Sequence, residues 1–288
     1  MKMNKIFKKG SFNKNSRNSW FLVMPFLTFS AFLVIVPLFF IIYYAFKSDT
    51  ASNWSLIVNP FSKNTVSTSV ILFRSLGLSL LATFIVLLLA YPYAYFVTQL
   101  KKPSHRFWAL AFIAFPIYMN SIVRLIGIKT MLDFIIADNT NQLRNIVAII
   151  YMCLPLMVIP IYNNLSTLNE SVVNASKDLG NNSFRTFLKV TLPYSLPGVF
   201  SGIALVFLTS VTSVAIPAFM TPTRNWIGNI IYNLFDPSSL HTSADLSLGA
   251  LITVITSLCT ISIYLLIKFL PRLFFGKNNN IKMKPGRK

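Results

Sequence analysis

Six stretches of this chain, 20–46, 75–100, 107–123, 145–169, 190–223 and 246–267, contain no Lys, Arg, Asp or Glu. A helix rises 1.5 Å per residue, so about 20 apolar residues cross the hydrocarbon of a bilayer. Inside lipid every backbone N–H and C=O must find a partner without water, which leaves helices and closed barrels. Runs of this length are too long for barrel strands of about ten residues. They predict an all-α integral membrane protein with six transmembrane helices. The third run is the shortest, and Arg124 can lengthen it by snorkelling to the interface. Only 11% of the 288 residues are charged, against about 25% in a soluble domain, so this apolar surface calls for lipid and not for a larger core.

The formal net charge of +19 raises nucleic acid as a partner, but the cations do not form one face. Six Lys and Arg precede Trp20, three lie at 101–106, three at 170–189 and seven from Lys268 onward. The alternate loops hold three, three and one. That is 19 against 7, and an excess of cations marks the cytoplasmic side. The count predicts both termini in the cytoplasm and no nucleic-acid partner. It divides the chain into a basic tail at 1–19, a transmembrane domain at 20–270 and a basic tail at 271–288. The first run is a span and not a removable signal, because no small-x-small cleavage site follows it.

Chemistry-bearing sets are missing from the sequence. Cys153 and Cys259 fall inside apolar runs, and His105 and His241 are expected on opposite sides of the membrane. No phosphate-binding loop, Walker motif, Ser/His/Asp set or carboxylate pair occurs. The chain therefore reads as a non-enzyme that binds no cofactor itself.

The polar interruption at 166–193 keeps a helical pattern. Val172, Val173, Ala175, Ser176 and Leu179 recur at helical spacing, and Gly180 follows as a left-handed cap. Asn182 or Ser183 can cap a second short helix carrying Phe184, Phe187, Leu188 and Val190. Asp178 stands in the last turn of the first helix, where the dipole disfavours an anion by roughly 0.3–1 kcal/mol. A carboxylate there calls for a partner on another protein, or is a solvated surface residue.

Asp178-Leu179-Gly180, nine residues, then Val190-x-Leu192-Pro193 resembles the cytoplasmic coupling loop of ABC importer permeases. That family's signature opens Glu-Ala-Ala, whereas this chain has Asn174-Ala175-Ser176. The resemblance implies that Asn174, Ala175, Ser176, Asp178, Leu179 and Gly180 contact an ATPase, with Gly180 as pivot. Tyr91 to Phe96, Asn120 to Arg124, Leu154-Pro155 through Tyr162 and Ile227-Gly228-Asn229 extend the likeness to the permeases of spermidine/putrescine importers. It implies the fold of a type I importer permease in a bacterial plasma membrane. The implied partners are an ATPase dimer that binds ATP and Mg, a second, PotC-like permease and an extracytoplasmic polyamine-binding protein. Importers of sugar, iron, sulfate or phosphonate share the loop and remain alternatives. A secondary transporter or channel commonly needs ionisable residues within its spans, and these spans contain none.

Tyr118, Asn120 and Arg124 close the third run and are candidates for a substrate path, since polar groups at membrane depth face the bundle interior or water. An Arg held at the headgroups by a helix end is the other reading of Arg124. Pro155 and Pro160 predict an irregular fourth span. Residues 225–231 form an amphipathic segment expected on the outer interface.

Overall fold

The computed structural model describes residues 16–47, 67–136, 142–221, 226–235 and 243–275. Most of the N-terminal tail, residues 48–66, Asp138, Arg224, Asn225, His241 and residues 276–288 lie outside them. The helices are α1 (Ser16–Lys47), α2 (Thr68–Gln99), α3 (Pro103–Ala114), α4 (Ser121–Ile135), α5 (Gln142–Leu165), α6 (Glu170–Asp178), α7 (Ser183–Thr186), α8 (Leu192–Thr212), α9 (Ala215–Met220), α10 (Ile227–Phe235) and α11 (Ser243–Phe275). α1 therefore starts before Trp20, and α11 runs past Ile267 by more than two turns.

Among the described residues, α1, α2, α5, the run Ser183–Thr212 and α11 are each long and apolar enough to cross a membrane. The third predicted span is not a straight helix. α3 and a tight 3₁₀ turn at Phe115–Tyr118 meet α4 at an angle of 100°. Six spans are reached only by counting this bent pair as one. The break has a local cause, because Pro116 cannot donate to the helical ladder. Met119 and Asn120 take extended backbone angles, and the Asn120 side chain accepts from the Ile122 N–H at 2.9 Å, capping α4.

α5 is the central helix, with α2 and α8 against it. One core gathers Ala82, Val86, Ala90 and Ala94 of α2, Cys153, Met157 and Ile161 of α5, and Val199 and Val206 of α8. A second core joins Ala45 of α1, Phe207 and Val211 of α8, Ile227 and Leu234 of α10, and Leu248, Leu251 and Ile252 of α11. The outer face of α1 stays apolar and exposed, with Phe26, Phe29, Phe32 and Phe39 more than 60% accessible, as a lipid-facing surface should be.

Close approach of α5 and α8 rests on glycine. A Cβ on Gly198 would lie 2.7 Å from both the Pro160 carbonyl oxygen and the Asn164 Cβ, and one on Gly202 would lie 2.6 Å from the Met157 Sδ. Lipid removes the hydrophobic drive between helices, so small residues four apart supply packing instead. Hydroxyls within the spans turn back onto their own helices: Thr83 onto the Ser79 carbonyl at 2.7 Å, Thr209 onto Leu205 at 2.8 Å and Thr256 onto Ile252 at 2.7 Å. Each donor is thereby satisfied without a partner helix.

Residues 226–229 of the segment expected on the outer interface are instead internal. Trp226 and Ile227 are 1% exposed, and Gly228 and Asn229 are buried. The Ile227 N–H donates to the Ser75 Oγ of α2 at 3.1 Å, and a Cβ on Gly228 would lie 2.8 Å from the Ser213 carbonyl oxygen. The apolar side of α10 packs on α11, α2 and α8, not on headgroups. Ser75→Ala would leave a buried N–H unpaired, at about 1–3 kcal/mol. A lower melting temperature in detergent is expected, with faster amide exchange at 226–229.

At the same end of the bundle, the fully buried Arg144 pairs with Asp133 and donates to the Ile136 carbonyl at 3.0 Å. This ties α4 to the start of α5. Asp133 is the carboxylate that allows an arginine to be buried.

Candidate functional site

The interruption at 166–193 folds as two short arms around Gly180. Asn169 caps α6 by accepting from the Ser171 N–H at 3.0 Å, and Glu170 in the first turn suits the dipole. At the other end Gly180 takes φ +82°. Its N–H donates to the Lys177 carbonyl at 2.9 Å, and the Asn181 N–H to the Ser176 carbonyl at 3.4 Å. This pair of bonds is the Schellman arrangement, which uses up two of the helix's last carbonyls and needs a left-handed residue. Asn182 then caps α7, accepting from the Arg185 N–H at 2.8 Å.

The six predicted contact residues divide by position. Ala175, Asp178, Leu179 and Gly180 are exposed, Leu179 by 84%. Ser176 is not on the surface. Its hydroxyl is buried, 3.2 Å from the Thr186 Oγ1 and 3.4 Å from the donating Asn181 Nδ2, and so braces one arm against the other. Asn174 is exposed but lines a cavity of about 720 Å³ on the other face of α6, with Glu170, Val173 and Lys177. Asp178 has no ion pair among the described residues, so none of them compensates its charge beside the helix C-terminus.

What seats the loop on the bundle is a set of aromatics from α2 and the loop itself. The Phe187 ring stands edge-on to Tyr95 at 5.3 Å and to Tyr91 at 6.0 Å, an arrangement that adds about 0.5–1.5 kcal/mol per pair. The Tyr91 hydroxyl lies 3.0 Å from the Ser195 Oγ. Tyr91 and Tyr95 are one turn apart on α2, so their spacing was the readable signal. The predicted apolar face of the second arm is split accordingly: Phe187 turns inward, while Phe184 is 67% exposed. Beyond it the backbone widens to a π turn at Phe187–Thr191, where the Leu192 N–H reaches the Phe187 carbonyl five residues back. Pro193 has no N–H to continue an ordinary ladder there. α7, this turn and α8 form one run of 30 residues, Ser183–Thr212.

The second predicted set, Tyr118, Asn120 and Arg124, lies together at the 100° break, on elements other than the loop. Tyr118 is 86% exposed. Asn120 spends its side-chain oxygen on the α4 cap. Arg124 is half-buried, within electrostatic reach of the Cys153 thiol, and its Nε and Nη1 are sealed from solvent with no acceptor among the described residues. No cluster of three metal-binding side chains occurs among the described residues.

A family profile described as binding-protein-dependent transport system inner membrane component matches residues 10–275. The spermidine/putrescine transport system permease protein PotB homolog of Mycoplasma genitalium is 28% identical over 273 residues, covering 89% of this chain and 94% of that protein. The corresponding Mycoplasma pneumoniae homolog is 32% identical over 196 residues, 64% of this chain and 68% of that protein. PotB of Escherichia coli is 29% identical over 199 residues, 63% and 70% of the two chains. Two solved structures share the fold. A bacterial ABC transporter that imports the acidic polysaccharide alginate superposes with a TM-score of 0.63 at 14% identity, over 90% of this chain and 97% of that one. The inward-facing MetNI methionine ABC transporter gives 0.54 at 16% identity, over 73% and 97%.

Proposed function

Since the chain belongs to the family of binding-protein-dependent transport system inner membrane components, we propose that it serves spermidine and putrescine import as a PotB-type subunit. That it is the membrane-spanning permease subunit of an ABC importer follows from the family match and the fold. Membership also implies an ATPase, an external binding protein and a second permease as partners. The polyamine reading goes further and rests on one observation, the spermidine/putrescine permease homolog matched over 94% of its length. On that reading the second permease is PotC-like, the external protein binds polyamine, and the complex sits in a bacterial plasma membrane.

The loop at 166–193 is the ATPase-docking element in this proposal, and the Lys and Arg asymmetry supports a cytoplasmic side for it and for both termini. Leu179 supports the role most directly, as a large apolar side chain held 84% exposed beside an unpaired carboxylate. Ala175, Asp178 and Gly180 complete the outward face, while Ser176 keeps the arms together and Asn174 sits behind them. Motion of the docked loop passes directly into α8 through the unbroken run Ser183–Thr212. The packed helices then exchange inward- and outward-open arrangements as rigid bodies. Arg124, a cation, is unsuited to line a polyamine path unless a partner supplies an anion to it.

The test is a mild-detergent pull-down from native membranes with each partner identified by mass, followed by uptake of labelled spermidine and putrescine. Recovery of an ATPase and a second six-span permease, with polyamine uptake, is the expected result. A folded chain recovered alone would defeat the importer reading, and uptake of another solute only would defeat the polyamine reading. Leu179→Asp should leave the fold intact and reduce ATPase recovery about ten-fold, given roughly 1.5–3 kcal/mol for a leucine buried on docking.

A further inference from the structure

The face of α6 turned away from Leu179 closes a cavity of about 720 Å³ between the loop, the last turn of α2 and the start of α3. Its lining carries three cations, Lys101, Arg106 and Lys177, against one carboxylate, Glu170. None of the four is in an ion pair among the described residues. Arg106 is held in place: its Nη2 donates to the Thr98 carbonyl at 3.0 Å and to the Leu100 carbonyl at 2.9 Å. Its Nε is closed to solvent with no acceptor among the described residues. Three cations outnumber the single carboxylate around this concave space and repel one another unless a further anion is present, and a guanidinium anchored by one nitrogen is held oriented for oxyanions. Gln99, Thr98, Ser166 and Ser183 add neutral polar groups around the rim.

The depth of the cavity narrows the ligand class. It lies where α2 and α5 both end, at Gln99 and Leu165, which is the level of headgroups for two spanning helices. Phe107 and Trp108, directly after Arg106, are 65% and 68% exposed and offer apolar surface for acyl chains. We propose that this cavity is a binding site for a phosphate-class oxyanion, which joins the α2–α3 elbow to the back of the docking helix. Such a ligand neutralises Lys101, Arg106 and Lys177 together and fixes α6 relative to α2. The source is an anionic phospholipid headgroup or free phosphate. This site is independent of which solute is carried.

The experiment uses the purified full complex in phosphatidylcholine nanodiscs. Phosphatidylglycerol is added in one arm and inorganic phosphate in the other, with thermal stability and native mass spectrometry as readouts. The variants are Lys101→Gln/Lys177→Gln and, with the opposite sign, Glu170→Gln, all on exposed side chains. The wild type is expected to retain phosphatidylglycerol, the double variant to bind it about twenty-five-fold more weakly at roughly five-fold per lysine, and Glu170→Gln to bind it more tightly. Stabilisation by phosphate alone, lost in the double variant, keeps the site and makes its ligand soluble. Equal retention and equal stability in all three proteins, in both arms, overturns the proposal. None of these outcomes depends on uptake, so failure of the polyamine reading would remain distinguishable.

Discussion

Gly180→Leu is expected to lower uptake at least ten-fold while the protein still reaches the membrane in wild-type amount. The glycine sits at φ +82°, and a Cβ there would meet nothing within 4 Å, so the effect is one of backbone and not of space. A left-handed backbone costs an ordinary L-residue about 1–2 kcal/mol. The loop can escape that cost by unwinding the last turn of α6, which gives up the two terminal bonds made by Gly180 and Asn181. Either way Asp178 and Leu179 lose their presented geometry. Gly180→Asn is the control, since asparagine tolerates this region, and it should keep much of the activity. Uptake by the leucine variant equal to wild type would show that the loop's shape is irrelevant to coupling.

Gly198→Leu should do the opposite, damaging the fold before any transport step. Even alanine would press on the Pro160 carbonyl and Asn164 Cβ at 2.7 Å, and one of these is backbone that cannot swing aside. Overpacking of this kind costs about 1–3 kcal/mol for a small insertion, and leucine adds three more carbons at the same contact. Since α5 and α8 lie in the same core, the expected result is a melting temperature about 5 °C lower for Gly198→Ala, at roughly 2–4 °C per kcal/mol. Gly198→Leu should be poorly recovered from the membrane. Gly202→Ala meets only the flexible end of Met157 closer than 3 Å, and Gly77→Ala meets nothing within 4 Å. Their melting temperatures should follow that order, and an equal drop at Gly77 would remove the packing explanation.

Much of this structure was legible because bilayer physics writes itself in long uncharged runs. The helix, Gly180 cap and second helix of the loop were readable from local chemistry alone. The break within the third span was not read from the sequence, because absence of charge says nothing about a break. Pro116 and the capping pair Asn120-Ser121 were the signal, and they stand inside an otherwise apolar run. Residues 226–231 were misplaced for another reason: an apolar helical face looks the same whether it meets headgroups or protein. The hydrogen bond from Ile227 to Ser75 spans 152 positions in sequence, and no local pattern announces it. Within the loop, Asn174 and Ser176 belong to one predicted contact set, yet Asn174 lines the cavity and the Ser176 hydroxyl is buried against Thr186.

The π turn at Phe187–Thr191 has a consequence for changes of length in this part of the chain. A wide turn is an ordinary helix carrying one surplus residue, and each residue turns a helix by about 100°. The face of α7 that meets the outside and the glycine face of α8 are therefore set relative to each other by that single surplus residue. Removing one residue between Phe187 and Thr191 would leave an unbroken, well-bonded helix. It would also point Phe184 about a third of a turn away from its present direction, like a key cut correctly and inserted at the wrong angle. Substitutions within the turn leave that angle in place, whereas insertions and deletions change it.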